Sequence, residues 1–427
     1  MDDDINHVME RADFVKMEVG DELWKMPHYC SYSPYQNIPV EEKIELVAKY
    51  TGNKTLDRAV GCIVGMAVGD AVGHPLEFLP ACDKPDQSEH SFHLHNMSYN
   101  NPLNTFDLRS GQWTDDTSMG LCIADSLIAL LKYDGSDIRL RFWNWWFNGY
   151  NNCFRNDPSR SYSVGLGGNI SKSIAIMSDN PGEKPPPKFE ADGEDSGIGS
   201  LMRLAAVPIF FHKDIGSAIH FGSESSLTTH PGQIASEACA FLTYIIVRAI
   251  QNDMWAGANA RQFLDAVTAD YLIQLKGQSR IGIDKIRTLI ESSQPEDGLE
   301  RCWNWKAKSL DISGSLTRRG YMYNGYKVFP DYFGAYCMDG LAIALHSVYH
   351  TTSFDEAIEK CVNFLGDADS TGAVAGQLAG AVYGYSTINN KFIENLQRWD
   401  DGDIALRGVL LYELGSKYFN DRHNNAE

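Results

Sequence analysis

Two short acidic clusters carry most of the chemistry this chain could do. One reads Gln112-Trp113-Thr114-Asp115-Asp116-Thr117, the other Gly366-Asp367-Ala368-Asp369-Ser370-Thr371-Gly372. Each opens a stretch of helical periodicity, so each sets carboxylates and hydroxyls together at a predicted helix start. Asp, Ser and Thr have a simple use there as N-caps that also complement the macrodipole. Capping needs one such residue, however, and crowding two acids is repulsive unless a cation offsets it. Carboxylate and hydroxyl oxygens with no neighbouring Cys or His suit a hard cation, Mg²⁺ or Mn²⁺, rather than zinc. For either cluster alone, capping and metal binding both stay open. If the two met in space, their four carboxylates would suit a two-metal site that polarises a hydroxyl or phosphate and activates water. A third acid, Glu77, lies just beyond Gly73 and Pro75, on the loop that ends a helix, where a solvated carboxylate is the simple reading. Asp70 reads as a turn ligand for backbone amides.

The elements that must position these groups are helical. LDRAVGCIVGMAVGDAVG from Leu56, DDTSMGLCIADSLIALLKY, SEACAFLTYIIVRAIQ, MDGLAIALHSVYH and STGAVAGQLAGAVYGY all repeat apolar residues at three and four. Strand signals are scarce, which predicts an all-α chain. Gly61, Gly65, Gly69 and Gly73 fall every fourth residue, as do Gly372, Gly376, Gly380 and Gly384. Interior glycine costs about 1 kcal/mol against alanine, so two such rows predict two buried helices in close contact. A transmembrane pair is the alternative, disfavoured because the apolar runs look too short and Asp70 interrupts the first. Gly73 lies at or beyond its helix end, where glycine can also cap or turn. Residues 1–55 read as an acidic N-terminal extension and 56–427 as one domain. Polar surface insertions are expected at about 80–107 and 178–196.

Composition excludes whole classes of function. The 427 residues are 43% apolar and 22% charged with a net charge of −19, which argues against nucleic acid and against anionic membranes. The N-terminus lacks the cationic-then-apolar order of a signal peptide. Nine scattered cysteines without CxxC read as free thiols in a reducing cytoplasm, and a monomer is expected. His90, His93 and His95 form a loop that could bind a transition metal but is more simply a polar loop. His346 and His350 lack the Glu of a zinc-protease helix, and Gly165-Leu166-Gly167-Gly168-Asn169 lacks the third glycine of a dinucleotide fingerprint. Trp143, Trp145, Trp146 and Phe147 read as core packing, with adenine stacking the other use.

Between about Leu56 and Leu414 the chain resembles the ADP-ribosylglycohydrolases, including the dinitrogenase-reductase-activating glycohydrolases and ADP-ribosylarginine hydrolases. The resemblance rests on GMAVGDAVGHPLEF, WTDDTSM, GIGSLMRLAAVPIFF, LTTHPGQIASEACAF and GDADSTGAVAGQLAGAVYG, in that order. It implies an all-α orthogonal multi-helix bundle with a binuclear Mg²⁺ (or Mn²⁺) cleft. The implied activity is metal-dependent hydrolysis of the bond between ADP-ribose and an acceptor. By the same resemblance Thr114, Asp115, Asp116, Asp367, Asp369 and Ser370 would be metal ligands, and Glu77, Asp115 and Asp116 would be catalytic. Gly197, Gly199 and Ser200 would cradle phosphates, and His230 would touch the adenosine side or a phosphate. Tyr332, Gly334 and Tyr336, in PDYFGAYCMDG, would line the ADP-ribose cleft. The family's phosphate loop reads Gly-Asn-Gly where this chain has Ile198, which removes a side-chain donor and acceptor but leaves backbone N–H groups. Asp-Ala-Asp-Ser-Thr is closer to the arginine-type motif than to the Asp-Thr-Asp-Thr of serine-type members. Arginine of a modified protein is therefore the expected acceptor. Serine-linked or O-acetyl-ADP-ribose, or a non-catalytic ADP-ribose binder, are the alternatives.

Overall fold

The three-and-four spacing of apolar residues becomes seventeen α-helices among the described residues, against two short antiparallel hairpins. The computed structural model describes residues 3–17, 29–179, 183–191, 193, 196–251 and 259–424. Parts of the expected N-terminal extension (1–2 and 18–28) and of the 178–196 insertion (180–182, 192, 194 and 195) lie outside the described residues.

Helices α1 (Asp3–Arg11) and α2 (Val40–Tyr50) precede the glycine-lined α3 (Lys54–Gly73). The hairpin β1 (Ser91–His93) and β2 (Ser98–Asn100) leads to α4 (Asp115–Leu130), α5 (Gly135–Asn148) and α6 (Gly168–Asp179). Next come α7 (Ala206–Phe210), α8 (Ile215–Ser226), α9 (Gln233–Ile250), α10 (Ala260–Gln274) and α11 (Ile281–Glu291). Helix α12 (Ile312–Arg319) precedes β3 (Met322–Tyr323) and β4 (Tyr326–Lys327). The chain finishes with α13 (Cys337–Tyr349), α14 (Phe354–Val362), α15 (Ala368–Tyr383), α16 (Asn390–Asp400) and α17 (Asp403–Asn424).

The two glycine rows face each other. Gly61 meets Gly380, Gly65 meets Gly376 and Gly69 meets Gly372, so α3 and α15 run antiparallel. A Cβ on any of the six would fall on its partner's backbone carbonyl, and the helices approach to a distance that only glycine permits. Gly73 stays inside α3 at φ −77° and abuts Ala368 and Asp369. The capping role falls instead on Gly384, which ends α15 at φ +94°.

One expectation needs correction. Helix α3 with its following turn (Lys54–Leu76) and α9 are long and apolar enough by composition to cross a membrane, so the argument from short runs fails. Their apolar windows are 100% and 78% buried within this fold. The acidic N-terminal extension also packs on the domain it precedes. Ile5, Val8 and Val47 join the core, and Lys43, 3% exposed, donates to Asp403 Oδ1 at 2.6 Å. The 80–107 segment is docked as well: Phe92 N–H donates to Asn363 Oδ1 (2.7 Å) and Tyr99 hydroxyl to Val72 O (3.0 Å). Trp143 and Trp145 are buried in α5 as core.

Candidate active site

The glycine contact decides where the acids lie. Because α3 and α15 cross with almost no side chain between them, the end of α3 and the start of α15 come together. Two backbone bonds then clamp the Glu77 loop to the second acidic cluster: Phe78 N–H donates to Gly366 O (2.9 Å) and Gly366 N–H to Leu79 O (3.0 Å). Gly366 can take its φ of +68° without a Cβ penalty, in the turn that delivers Asp367. As a result Glu77, Asp367 and Asp369, all buried, each present an oxygen within 4.8 Å of the others. Tyr332 hydroxyl donates to Glu77 Oε1 at 3.1 Å.

The first cluster is held from α3. Asp70 accepts from Thr114 N–H (3.0 Å) and hydroxyl (2.9 Å), and from Thr117 N–H (3.0 Å) and hydroxyl (2.6 Å). It is a ligand for backbone amides, as its type suggested, but those of another helix rather than its own turn. With Asp70 occupying these donors, Asp115 and Asp116 are turned to other uses. Neither Thr114 at the start of α4 nor Asp367 at the start of α15 makes a side-chain capping bond. The capping reading therefore does not account for either cluster.

Burial pushes the Glu77, Asp115, Asp116 and Asp369 carboxyls well above their usual range, and the neighbouring acids push further. Asp116 feels Asp70, Asp369, Asp115 and Asp367 in turn, which places both clusters in one electrostatic site. Asp70 and Asp367 are also raised by burial. Two oxygens, Glu77 Oε2 and Asp116 Oδ1, are buried with no hydrogen-bond partner. Such crowding with unpaired oxygens is what a cation resolves, and an all-oxygen donor set fits a hard one.

A cleft of about 440 Å³ runs away from the acids, with Tyr332 at the end that touches Glu77. Its lining includes Asn169, Gly197, Tyr323, Tyr332, Gly334 and Tyr336. Gly334, at φ +113°, sits against Thr371 and Asp367, so it ties cleft to cluster. Gly197 bridges Tyr336 in a short antiparallel pair, with Ile198 N–H donating to Ala335 O at 2.8 Å. One backbone donor of this loop is thus already used. Ile198 itself is buried against Gly340, and Gly199 and Ser200 follow it within a single 3-10 turn.

Several expected site residues stand behind the cleft rather than in it. His230 is 2% exposed, its ring packed on Gly197 and Gly199, with Nδ1 against Thr229 Oγ1 at 2.7 Å. Burial lowers it to about 3, so it backs the loop as a neutral ring and brings no charge to a phosphate. Ser200 hydroxyl accepts from Ser226 (3.0 Å); Ser370, by contrast, faces Asp367 as well as Met202 sulfur (3.6 Å). His90 Nδ1 pairs with Asn101 O (2.9 Å) and His93 Nε2 with Ser91 (3.1 Å), and they belong to no metal-type cluster among the described residues.

Other contributors had no site role assigned from sequence. Gly165, at φ +91°, lies directly on Asp115, and the loop after it starts α6 with Asn169 on the cleft. Buried Arg203 donates to Thr229 (2.6 Å) and so steadies His230. The β3–β4 hairpin forms one cleft wall, and its Asn324-Gly325 turn was the sequence signal for it.

Comparison with known proteins gives a consistent neighbourhood. A sequence model of the ADP-ribosylglycohydrolase family matches residues 51–423. ADP-ribosylarginine hydrolase Tri1 of Pseudomonas putida is 29% identical over 353 residues, 81% of this chain and 76% of that protein. ADP-ribosyl-[dinitrogen reductase] glycohydrolase of Rhodospirillum rubrum is 25% identical over 84% of this chain and 99% of its own. A solved ADP-ribosylglycohydrolase-related protein complex superposes with a TM-score of 0.56 at 25% identity, covering 84% of this chain and 99% of that one.

Proposed function

The chain belongs to the ADP-ribosylglycohydrolase family, and from its site we infer that it hydrolyses the glycosidic bond between ADP-ribose and an acceptor, arginine of a modified protein. The observation that carries this reading is the convergence of Glu77, Asp367 and Asp369 at one end of the 440 Å³ cleft. Arginine as acceptor is supported by the Asp367-Ala368-Asp369-Ser370-Thr371 motif and by the resemblance to a bacterial ADP-ribosylarginine hydrolase.

Cleavage at an anomeric carbon builds oxocarbenium character, so the site must orient the ribose, deliver water and protonate the leaving group. Asp115, Asp116, Asp367 and Asp369, with Thr114 and Ser370 beside them, are the residues that would hold two Mg²⁺ or Mn²⁺ ions. Such ions supply Lewis acidity and offset the carboxylate charge. Glu77 is the proton-handling group: Tyr332 fixes Oε1, and Oε2 is left without a partner to exchange a proton on the acceptor side. The Gly197 and Gly165 loops present backbone to the pyrophosphate, and the Tyr336 and β3–β4 wall receives the adenosine.

A substrate panel tests the reading. ADP-ribosylated arginine, ADP-ribosylated serine and O-acetyl-ADP-ribose are incubated with the full chain, with Mg²⁺ and after EDTA. The expected result is arginine release that EDTA abolishes and Mg²⁺ restores. Full-rate hydrolysis after EDTA would sink the metal-dependent mechanism, and preference for another linkage would overturn the acceptor.

A further inference from the structure

We propose that Phe78 and Tyr332 form an aromatic platform that receives the planar, cationic guanidinium of an arginine acceptor, and so set the linkage this site prefers. The proposal rests on the functional reading above and names the specificity determinant of that same site.

Tyr332 is the boundary of the cleft. It lines the cavity, and its hydroxyl holds Glu77. Its ring is stacked on Phe78 with centroids 5.3 Å apart and planes at 20°. Phe78 lies outside the cleft lining, immediately after the proton-handling acid. A ligand whose ADP-ribose portion fills the cleft leaves its acceptor past Glu77, on the Phe78 side.

Phe78 is an unusual residue for that place. It is 42% exposed although its neighbour Glu77 is buried, so packing alone does not explain the ring. Its φ of +68° is a left-handed conformation that a phenylalanine adopts only under constraint. The constraint is visible: the Gly366 clamp on one side and Phe106 on the other, edge-on at 6.2 Å. Phe106 belongs to the 80–107 segment, whose Leu103 and Asn104 N–H groups donate to Pro75 O at 2.8 and 3.1 Å. That segment thereby braces the platform from the acceptor side.

The chemistry matches one acceptor class. A guanidinium is flat and permanently charged, stacks on aromatic faces and pairs with carboxylates. Phe78 offers the face, and Glu77 Oε2, which has no other partner, an oxygen beside it. A serine oxygen and an acetyl ester are both uncharged and offer the ring face no cation.

The test separates ring from hydroxyl. For the Mg²⁺-loaded full chain, kcat/KM is measured on an ADP-ribosylarginine peptide and on O-acetyl-ADP-ribose, with the Kd of ADP-ribose by calorimetry. Phe78→Gly removes the ring at a conformation glycine accepts, so folding is retained. It should lower the ratio of arginine to O-acetyl kcat/KM about tenfold, and the ADP-ribose Kd reads whether the cleft itself is disturbed. Tyr332→Phe keeps the ring and should leave the arginine to O-acetyl ratio within about twofold, whatever the lost hydroxyl does to kcat. A wild-type protein active on arginine whose preference survives Phe78→Gly overturns the platform alone. A wild-type protein that turns over neither substrate overturns the functional reading, and the platform with it.

Discussion

The acids of the site are individually at odds with stability, and that makes their roles testable one residue at a time. Asp116 is buried among four other carboxylates and keeps one oxygen without a partner. Replacing it by Asn removes a buried charge that a hydroxyl bond from Thr114 to Oδ2 (3.0 Å) offsets only in part. Asp116→Asn should therefore melt in EDTA at or above the wild-type temperature while losing at least about a thousandfold in kcat, the usual opposition of activity and stability at such a site. Thermal melts and turnover on one preparation check both halves, and a variant that keeps activity sinks the assignment. Asp70→Asn should behave in the opposite way. Its two oxygens take four N–H and O–H donors from Thr114 and Thr117, so an amide nitrogen would face donors and leave at least one unsatisfied. A loss of about 2 kcal/mol in chemical denaturation is expected. The acids themselves were readable in the sequence, though capping and metal binding both stayed open until the helix starts showed no side-chain caps. That Asp70 is the brace for the other cluster was not, since the bond spans forty-four positions.

At the scale of elements, periodicity was the legible signal and loop geometry was not. Four-residue glycine spacing foretold a backbone-close helix pair, and the α3–α15 contact is that pair. Gly376→Ala would drive a methyl group into the carbonyl of Gly65, where two helix backbones must part. It should destabilise by about 3 kcal/mol or more, against less than about 0.5 kcal/mol for Gly168→Ala, which has open space. Urea unfolding of the two variants decides this, and equal midpoints would remove the glycine argument. Because the same contact aligns Glu77 with Asp367, Gly376→Ala should also lower kcat more than it raises KM. The Gly165 loop could be read from sequence only as an incomplete nucleotide fingerprint, and its meaning comes from Asp115 lying against it. The β3–β4 hairpin was passed over since two-residue strands leave almost no alternation to read, although Asn324-Gly325 marked the turn.

For the whole molecule, the net charge of −19 needs a different account from the one composition suggests. Residues 1–50 hold 11 acidic and 5 basic side chains, yet part of that segment is core, with Lys43 buried on Asp403. Response to acid is then governed less by the surface than by buried groups that must titrate on unfolding. His74, His230 and His346 are held down to about 3 and His212 to about 4, each chiefly by burial. At His212 burial and the nearby Lys213 favour the neutral ring against the opposing pull of its Nδ1 bond to Ile209 O (2.8 Å); Nε2 can accept from Ser416, and the ring stacks on Tyr412 at 4.1 Å. A histidine with a depressed folded pKa contributes stability that is full above its unfolded value near 6.5 and is lost as pH falls toward the folded value. The buried carboxyls, with raised values, act in the opposite direction, so the total slope is a difference of two opposed sets. Comparing wild type with His212→Gln cancels the shared contributions. Between pH 6 and pH 4.5 the wild type should lose about 1.4 kcal/mol per pH unit more than the variant, the linkage of one proton. Urea midpoints at pH 7, 6, 5 and 4.5 measure it, and parallel curves would mean that His212 already carries its proton in the folded chain.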